Sequence, residues 1–383
     1  MLFKTPELNE AELAVVARID EVRTTLSYAV ASRRWTGSIR RMVQARAVQG
    51  SNSIEGIHVT VDDAIAAVDN EEPLDAGSEA WLAVRGYQNA MTYVLQLADD
   101  PHFSYSRDLI RSLHFMMLHH ELVKHPGKWR PGPIYVRNEI TGETVYEGPP
   151  ESQVNELMRE LVDELNASTP APIIVRAAMA HLNLVMIHPF SDGNGRMGRC
   201  LQTLVLAREQ ILAPAFSSIE EYLGRNQQPY YDVLGAVGGG AWHPERDARP
   251  WIRFCLTAHY HQATWLVQWS RIYQRLWDAL EALLNEKQMP DRMLPALSDA
   301  AIGYKVRNPL YRKSAEISEL TASRDLKAMV EEGLLVAHGE KRGRYYLASA
   351  KLKKLFQAAF EPPTNVDPFT LVEGYLPGMG RPL

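Results

Sequence analysis

Cysteine is almost missing from this chain. Its 383 residues hold two, Cys200 and Cys255, at no metal-like or redox spacing. That argues against a disulfide framework and against a CxxC-type zinc or redox site. Long apolar runs are missing as well: none approaches the roughly 20 residues needed to span a bilayer. The opening MLFKTPELNEAELA scatters charges where a signal peptide needs an apolar block. The expectation is a soluble, cytoplasmic protein. Excess positive charge is also lacking. The formal net charge is −5, which argues against a protein that coats nucleic acid non-specifically and leaves room only for a local basic patch. No internal repeat and no low-complexity segment is evident.

What is present is an ordinary globular composition, 46% apolar and 23% charged, long enough for two or three domains. The patterning is mostly helical. Leu13, Val16, Ile19, Val22, Leu26 and Val30 recur at helical spacing over 9–34, and Ile39, Met42 and Val43 continue it over 36–50. Further helices are expected at 61–69, 77–98, 106–122, 151–166, 173–187, 196–210, 228–236 and 248–286, with Pro170 and Pro172 marking the break before 173.

Residues 126–150 differ. They hold five prolines and four glycines around two short apolar runs, Pro133–Val136 and Thr144–Tyr146, with Thr141-Gly142 between them. This predicts a β-hairpin. A lone hairpin is marginal, so it is expected to lie across a neighbouring site.

The last third changes character near 287–292. Residues 321–336 read as a helix stopped by Gly333 and followed by a strand, and 338–348 as a turn and a second strand. Helix, strand, basic turn, strand is the winged-helix pattern. Arg324 and Lys327 fall on its helix, and Lys341, Arg342 and Arg344 in its wing. The fold class expected is mainly α: a helical core with a hairpin flap, plus a C-terminal winged-helix domain over 290–350 and a tail over 351–383.

One stretch carries more chemistry than the rest. Residues 188–199 read His-Pro-Phe-Ser-Asp-Gly-Asn-Gly-Arg-Met-Gly-Arg. A Gly193-Asn194-Gly195 turn allows backbone N–H groups to converge on an anion, and the helix that follows adds its positive end. Arg196 and Arg199 share a helix face. Asp192 is a hard oxygen ligand suited to Mg²⁺. His188 suits proton removal near neutral pH. Pro189 and Phe190 read as scaffold. Taken singly, each feature is more often a helix cap, a turn or a solvated face; their coincidence within twelve residues points to a phosphate-handling site.

The segment resembles the signature of Fic-domain proteins, His-x-Phe-x-(Asp/Glu)-Gly-Asn-Gly-Arg-x-x-Arg, at every specified position. The resemblance extends over about 60–270. It takes in the hairpin as the Fic flap, with its lead-in Gly127-Lys128-Trp129-Arg130 and its exit Pro149-Pro150. It implies an N-terminal helical region over 1–105 and a catalytic core over 106–286 with its flap at 127–150. It also implies AMP transfer from ATP to a Ser, Thr or Tyr hydroxyl of a target protein, with release of pyrophosphate. On that implication His188 takes the hydroxyl proton and Asp192 binds Mg²⁺. Gly193, Asn194 and Gly195 form the anion hole, Arg196 contacts the β-phosphate side and Arg199 the γ-phosphate. Thr144, Val145, Tyr146 and Glu147 clamp the target backbone as an added strand and help enclose the nucleotide. Tyr230 and Tyr231, and less directly Tyr222, line the adenine end, although core aromatics on a helix read equally well. Where some relatives carry an adenine-side Asn, this chain has Gly238.

Residues 51–56, Ser-Asn-Ser-Ile-Glu-Gly, read alone as a capped helix terminus. Beside the signature they resemble the family's inhibitory pattern, (Ser/Thr)-x-x-x-Glu-(Gly/Asn), in the subgroup whose inhibitory helix lies N-terminal in the same chain, here near 40–56. The resemblance implies that Glu55 forms a bidentate pair with Arg199 where the γ-phosphate belongs, with Ser51 capping or anchoring that helix. Other readings on the same fold are AMP removal, with Glu55 positioning a water, or transfer of another nucleotidyl or phosphate-containing group. A nucleotide-sensing DNA-binding regulator is the reading from a different class. For the C-terminal unit, protein interaction is preferred over DNA contact. Relatives are often dimers, and a homodimer stays open here, as does the target protein.

Overall fold

The computed structural model describes residues 1–31, 33–137, 141–211, 218–362 and 366–373, apart from the Arg342 side chain. The hairpin tip at 138–140, the Arg342 side chain expected in the wing, and positions 363–365 and 374–383 of the expected tail lie outside the described residues.

The chain is mainly helical. α1 (Glu10–Val30) opens with a capping box between Asn9 and Glu12 and stops where Ala31 turns extended. α2 (Thr36–Ile54), α3 (Val61–Val68), α4 (Ser78–Leu97) and α5 (Arg107–Leu118) follow, the third and fifth capped by Thr60 and Ser106. The hairpin comes next, with β1 (Tyr135–Arg137) antiparallel to β2 (Thr144–Glu147) and a bulge between Val136 and Arg137. Then come α6 (Glu151–Asn166), α7 (Ile173–Ile187), α8 (Asn194–Arg208), α9 (Glu220–Arg225), α10 (Gln227–Gly238) and α11 (Arg249–Glu286). At 38 residues α11 spans about 57 Å, and α1 packs along it.

α7 and α8 form the central pair. Both are almost wholly buried. They pack closely because Gly198 faces the side chains of His181 and Val185, where a Cβ would come within 2.7 Å of each. Trp251 of α11 donates its indole N–H to the Ala178 carbonyl at 2.7 Å. The N-terminal segment is pinned to the same core. Phe3 is fully buried, its N–H donates to Asn183 Oδ1 at 2.9 Å and its carbonyl accepts from Asn183 Nδ2 at 3.2 Å.

After α11, the helices α12 (Leu294–Ala301), α13 (Asn308–Ser314) and α14 (Glu319–Glu331) lead into a hairpin of β3 (Leu335–His338) and β4 (Tyr345–Ala348), then α15 (Ala350–Ala359) and α16 (Pro368–Glu373). Val306 exchanges both backbone hydrogen bonds with Tyr346, at 3.0 and 2.9 Å, and so extends the hairpin by a third short strand. This unit docks on α2 and α3 largely through charge. Arg41 sits between Asp69 and Asp299, Lys305 N–H donates to Asp62 at 2.7 Å, and Lys313 pairs with Glu71 at 2.7 Å. Among the described residues no helix is long and apolar enough to cross a membrane.

Candidate active site at the α7–α8 turn

α7 cannot continue past Ile187, because His188 adopts a left-handed conformation (φ 51°) that closes the helix. Its N–H still donates to the Leu184 carbonyl at 3.0 Å. Its Nδ1 lies 3.0 Å from the Val185 carbonyl. A carbonyl can only accept, so Nδ1 carries the proton and Nε2 is left as the basic nitrogen. Burial lowers the pKa of this imidazole, partly offset by the bond to Val185, which keeps it neutral near pH 7. Arg130 fixes the turn from outside: its Nε donates to the His188 carbonyl at 2.9 Å and its backbone N–H to the Pro189 carbonyl at 2.9 Å. Its remaining nitrogens hold the carbonyls of Gly132 and Pro149, so one buried guanidinium ties both feet of the flap to the motif.

α8 starts at Asn194, two residues earlier than the periodicity suggested. Gly193 takes φ 74°, a conformation glycine adopts without penalty, and serves as its N-cap. The first-turn N–H groups of Asn194, Gly195 and Arg196 therefore have no intrahelical partner. The Asn194 side chain is engaged otherwise. Its Oδ1 accepts from Phe190 N–H and its Nδ2 donates to the Phe190 carbonyl, both at 2.9 Å. It shapes the loop, and only its backbone is left to face an anion. Phe190 is buried, as expected of scaffold, and stacks on His114 with ring centroids 3.6 Å apart. His114 is a residue the sequence reading passed over. Its Nδ1 accepts from Gly127 N–H at 2.9 Å, so Nε2 donates to the Asp192 carbonyl at 2.9 Å. Burial lowers its pKa to about 4, and it links flap to motif as a neutral ring.

Asp192 Oδ1 accepts from Gly193 N–H at 2.7 Å, and Oδ2 lies 2.7 Å from Lys124 Nζ. Burial pushes this carboxyl upward, but the Lys124 ammonium and the Gly193 N–H more than offset it and hold its pKa below the usual value. No group of three or more His, Cys, Asp or Glu side chains suited to a metal ion occurs among the described residues. A single carboxylate fits Mg²⁺ that takes its other ligands from phosphate and water, and does not fit a protein-only cage.

The two arginines differ. Arg199 is 1% exposed. Its Nε donates to Ser51 Oγ at 2.8 Å, and its Nη2 to the Ser51 carbonyl at 2.9 Å and to Glu55 Oε1 at 2.7 Å. The expected bidentate carboxylate pair is therefore corrected to a single-oxygen pair, with Ser51 supplying the other two bonds. Ser51 neither caps nor merely anchors its helix. It lies in the last turn of α2, where carbonyls lack helical partners, so its carbonyl is free for Arg199. Burial lowers the Arg199 pKa, but the Glu55 charge and hydrogen bond, with Tyr230 and Tyr87, together raise it by more. Arg199 Nη1, Arg196 Nε and Arg196 Nη1 are buried without a partner, an uncommon state for guanidinium donors and one that a ligand resolves.

Glu55 itself is the C-cap of α2. A Cβ built on Gly195 would lie 2.5 Å from Glu55 Oε1 and 3.2 Å from Arg199 Nη1. The carboxylate therefore rests on the first turn of α8, against the free N–H groups and the positive helix end. Every carbonyl of the last turn of α2 is accounted for. Ser51 accepts from Arg199, Asn52 from the N–H of Glu55 and Ile57, Ser53 from Gly56 N–H, and Ile54 from the Tyr231 hydroxyl at 2.9 Å.

The remaining expected residues divide by burial. Tyr231 is half-exposed and its hydroxyl donates to the Ile54 carbonyl at the end of α2. Tyr230 is 1% exposed; its hydroxyl donates to His181 Nε2 at 3.0 Å, because His181 Nδ1 already donates to Gln202 Oε1 at 2.6 Å. It is a core aromatic. Tyr222 packs on His261 and Phe254. On the flap, Thr144, Val145 and Glu147 are exposed, whereas Tyr146 is buried and donates its hydroxyl to the Met186 carbonyl at 2.7 Å, anchoring the strand. Glu147 N–H donates to the Gly240 carbonyl at 3.0 Å. A Cβ on Gly238 would press on Met186 and Tyr146, at 3.2 and 3.3 Å, so an asparagine has no ready space there.

Comparison with known proteins agrees with this geometry. Residues 104–206 match the Fic/DOC family. The chain is 26% identical over 252 residues to Protein adenylyltransferase Fic of Nematostella vectensis, covering 65% of this chain and 55% of that protein. It is 31% identical over 160 residues to Protein adenylyltransferase fic-1 of Caenorhabditis elegans, covering 41% and 28%. The chain thus spans about half or less of the length of these curated relatives. Among solved structures, a Fic family protein from Desulfovibrio desulfuricans G20 superposes with a TM-score of 0.59 at 23% identity, over 91% of this chain and 98% of that one. Fic-1 (residues 134–508) of C. elegans superposes with 0.55 at 22% identity, over 67% and 72%. The helical fold with its flap and the signature at the α7–α8 turn are those of a Fic domain, and residues 104–206 match the Fic/DOC family.

Proposed function

We propose that this chain is a protein adenylyltransferase that moves AMP from ATP to a target hydroxyl and is restrained by its own Glu55. The observation that carries the reading is the Glu55 carboxylate itself. It lies on the first turn of α8 and on Arg199, the place a terminal phosphate oxygen would take, beside buried guanidinium atoms that lack partners. A site that attracts one internal carboxylate by a helix end and an arginine is built for an anion.

On this reading the first-turn N–H groups of α8 hold the α- and β-phosphates, and Arg196 and Arg199 hold the outer phosphates. Asp192 would hold Mg²⁺, whose chemistry is to neutralise the charge on the bridged phosphate oxygens. The target hydroxyl oxygen attacks the α-phosphorus, the bond to the bridging oxygen breaks, and pyrophosphate leaves. His188 Nε2 takes the hydroxyl proton as its Nδ1–H stays on the Val185 carbonyl. Because Glu147 N–H already faces Gly240 on the edge of β2 away from β1, the backbone of Val145 faces that same outer edge and is suited to an incoming target strand.

Glu55 lowers activity by denying Arg199 to the γ-phosphate. ATP then binds with its phosphates displaced, and misplacement by about 1 Å costs on the order of a hundredfold. The test is mass spectrometry and α-labelled ATP incorporation with wild type, Glu55→Gly and His188→Ala. Glu55→Gly is expected to raise self-labelling by roughly one to three decades, about 1.4–4 kcal/mol of barrier, with an added AMP mass, and His188→Ala to abolish it. Equal labelling in wild type and Glu55→Gly contradicts the restraint; no added AMP in either contradicts the transferase.

For the C-terminal unit we propose a winged helix, supported by the order α12, Val306, α13, α14 and hairpin. Arg324 and Lys327 lie exposed on α14, while Asp325 is turned inward to Arg292 and Tyr311. Protein interaction and target choice remain its assigned roles in this reading.

A further inference from the structure

Beside Asp192 lies a cation that the reading above does not use. Lys124 ends a short 3-10 turn, Leu122–Lys124, between α5 and the flap. Its Nζ is 2.7 Å from Asp192 Oδ2 and 2.8 Å from Glu121 Oε2. Asp192 Oδ1 accepts from Gly193 N–H and its carbonyl from His114. Oδ2, which Lys124 holds, is the oxygen for which a divalent cation would compete with it. The ammonium arrives on a flexible four-carbon stem, from a turn whose Leu122 and Val123 side chains are 68% and 85% exposed, and its own side chain is 37% exposed. It can move off Asp192 and still retain Glu121.

Resting on the nucleotide reading above, we propose that Lys124 is a resident counter-cation at the metal carboxylate, displaced when Mg²⁺ arrives with nucleotide, and that it sets the Mg²⁺ concentration at which nucleotide is held. Without it, a partly exposed carboxylate beside the α8 N-terminus and Arg196 would still be partly neutralised from one side, but a divalent ion would have no competitor for Oδ2. Exposed pairs of this kind are weak enough to exchange, so the effect is a tuning of metal demand and not a block.

The test is calorimetric titration of Mg²⁺ into full-length protein with ATP, in a His188→Ala background that prevents turnover, with and without Lys124→Met. Lys124→Met is expected to lower the half-saturating Mg²⁺ roughly two- to fivefold, and Lys124→Arg to leave it near the parent value. An unchanged half-saturation in Lys124→Met overturns the inference. So does an increase, which would make Lys124 a phosphate ligand and not a competitor of the metal. A parent protein that binds no ATP at any Mg²⁺ concentration overturns the nucleotide reading and this inference together, whereas a parent that binds while Lys124→Met titrates identically overturns this inference alone.

Discussion

The two sides of the anion cradle are both filled by the chain's own charges, and they are held in opposite ways. On one side Glu55 ends a 19-residue helix with ten buried residues, and each carbonyl of that helix's last turn has a partner. On the other, Lys124 reaches Asp192 from an exposed turn and is shared with Glu121. One occupant belongs to the core and the other to the surface. The difference locates control. On the proposed reading Lys124 would exchange without disturbing the fold, whereas Glu55 would not leave with its helix. α2 is fixed to α9 by near backbone contact, where a Cβ on Gly50 would lie 2.5 Å from the Glu220 carbonyl oxygen. Freedom begins only beyond Ile54, at Glu55 and at Gly56, whose φ is 73°. On the proposed reading, release of Glu55 would be a local rotation at the end of α2.

Glu55→Gly, with its one to three decades, is the largest lever on this contrast. Next comes Gly50→Ala. The added methyl meets the backbone of Glu220 and Glu221 and should destabilise the protein by about 1–3 kcal/mol, read as a lower urea midpoint at constant slope. An unaltered midpoint would mean that α2 shifts freely and that the core side is no more fixed than the surface side. The smallest expected effect is that of Tyr231→Phe, which removes the hydroxyl on the Ile54 carbonyl beside Glu55. Loss of that bond, worth about 0.5–1.5 kcal/mol, should raise basal self-labelling roughly two- to tenfold while leaving the fold intact. A rate no different from wild type would place the hold on Glu55 wholly in Arg199 and Ser51.

Much of this site was legible in the sequence because phosphate chemistry demands particular residues at fixed spacing. His188, Asp192, the glycines and both arginines fall within twelve residues spanning the α7–α8 turn and the start of α8, and Glu55 bonds Arg199 as its pattern implies. Two residues act through the fold. His114, which escaped notice, touches the motif across 78 residues through a backbone carbonyl, and Arg130, read only as part of the flap lead-in, grips carbonyls at both feet of the flap. Neither role leaves a spacing to read. Tyr230 and Tyr231 are adjacent, so helical geometry sends them to different faces, and only packing tells which lies in the core. The resemblance implies a place for Asn194 in the anion hole; its side chain instead closes the loop on Phe190, which leaves its backbone N–H for that role. α12 and α13, at eight and seven residues, hold about two turns each, too few for periodicity to stand out.

Competition between Glu55 and a γ-phosphate for Arg199 is the central claim, and comparing ATP with ADP tests it most directly. In a His188→Ala background with Mg²⁺, the γ-phosphate should add almost nothing to affinity while Glu55 is present. After Glu55→Gly it should gain a charge-assisted bond worth about 1.5–3 kcal/mol, so that ATP binds on the order of 10- to 100-fold tighter than ADP. An ATP-to-ADP ratio that is the same with and without Glu55 would contradict the account.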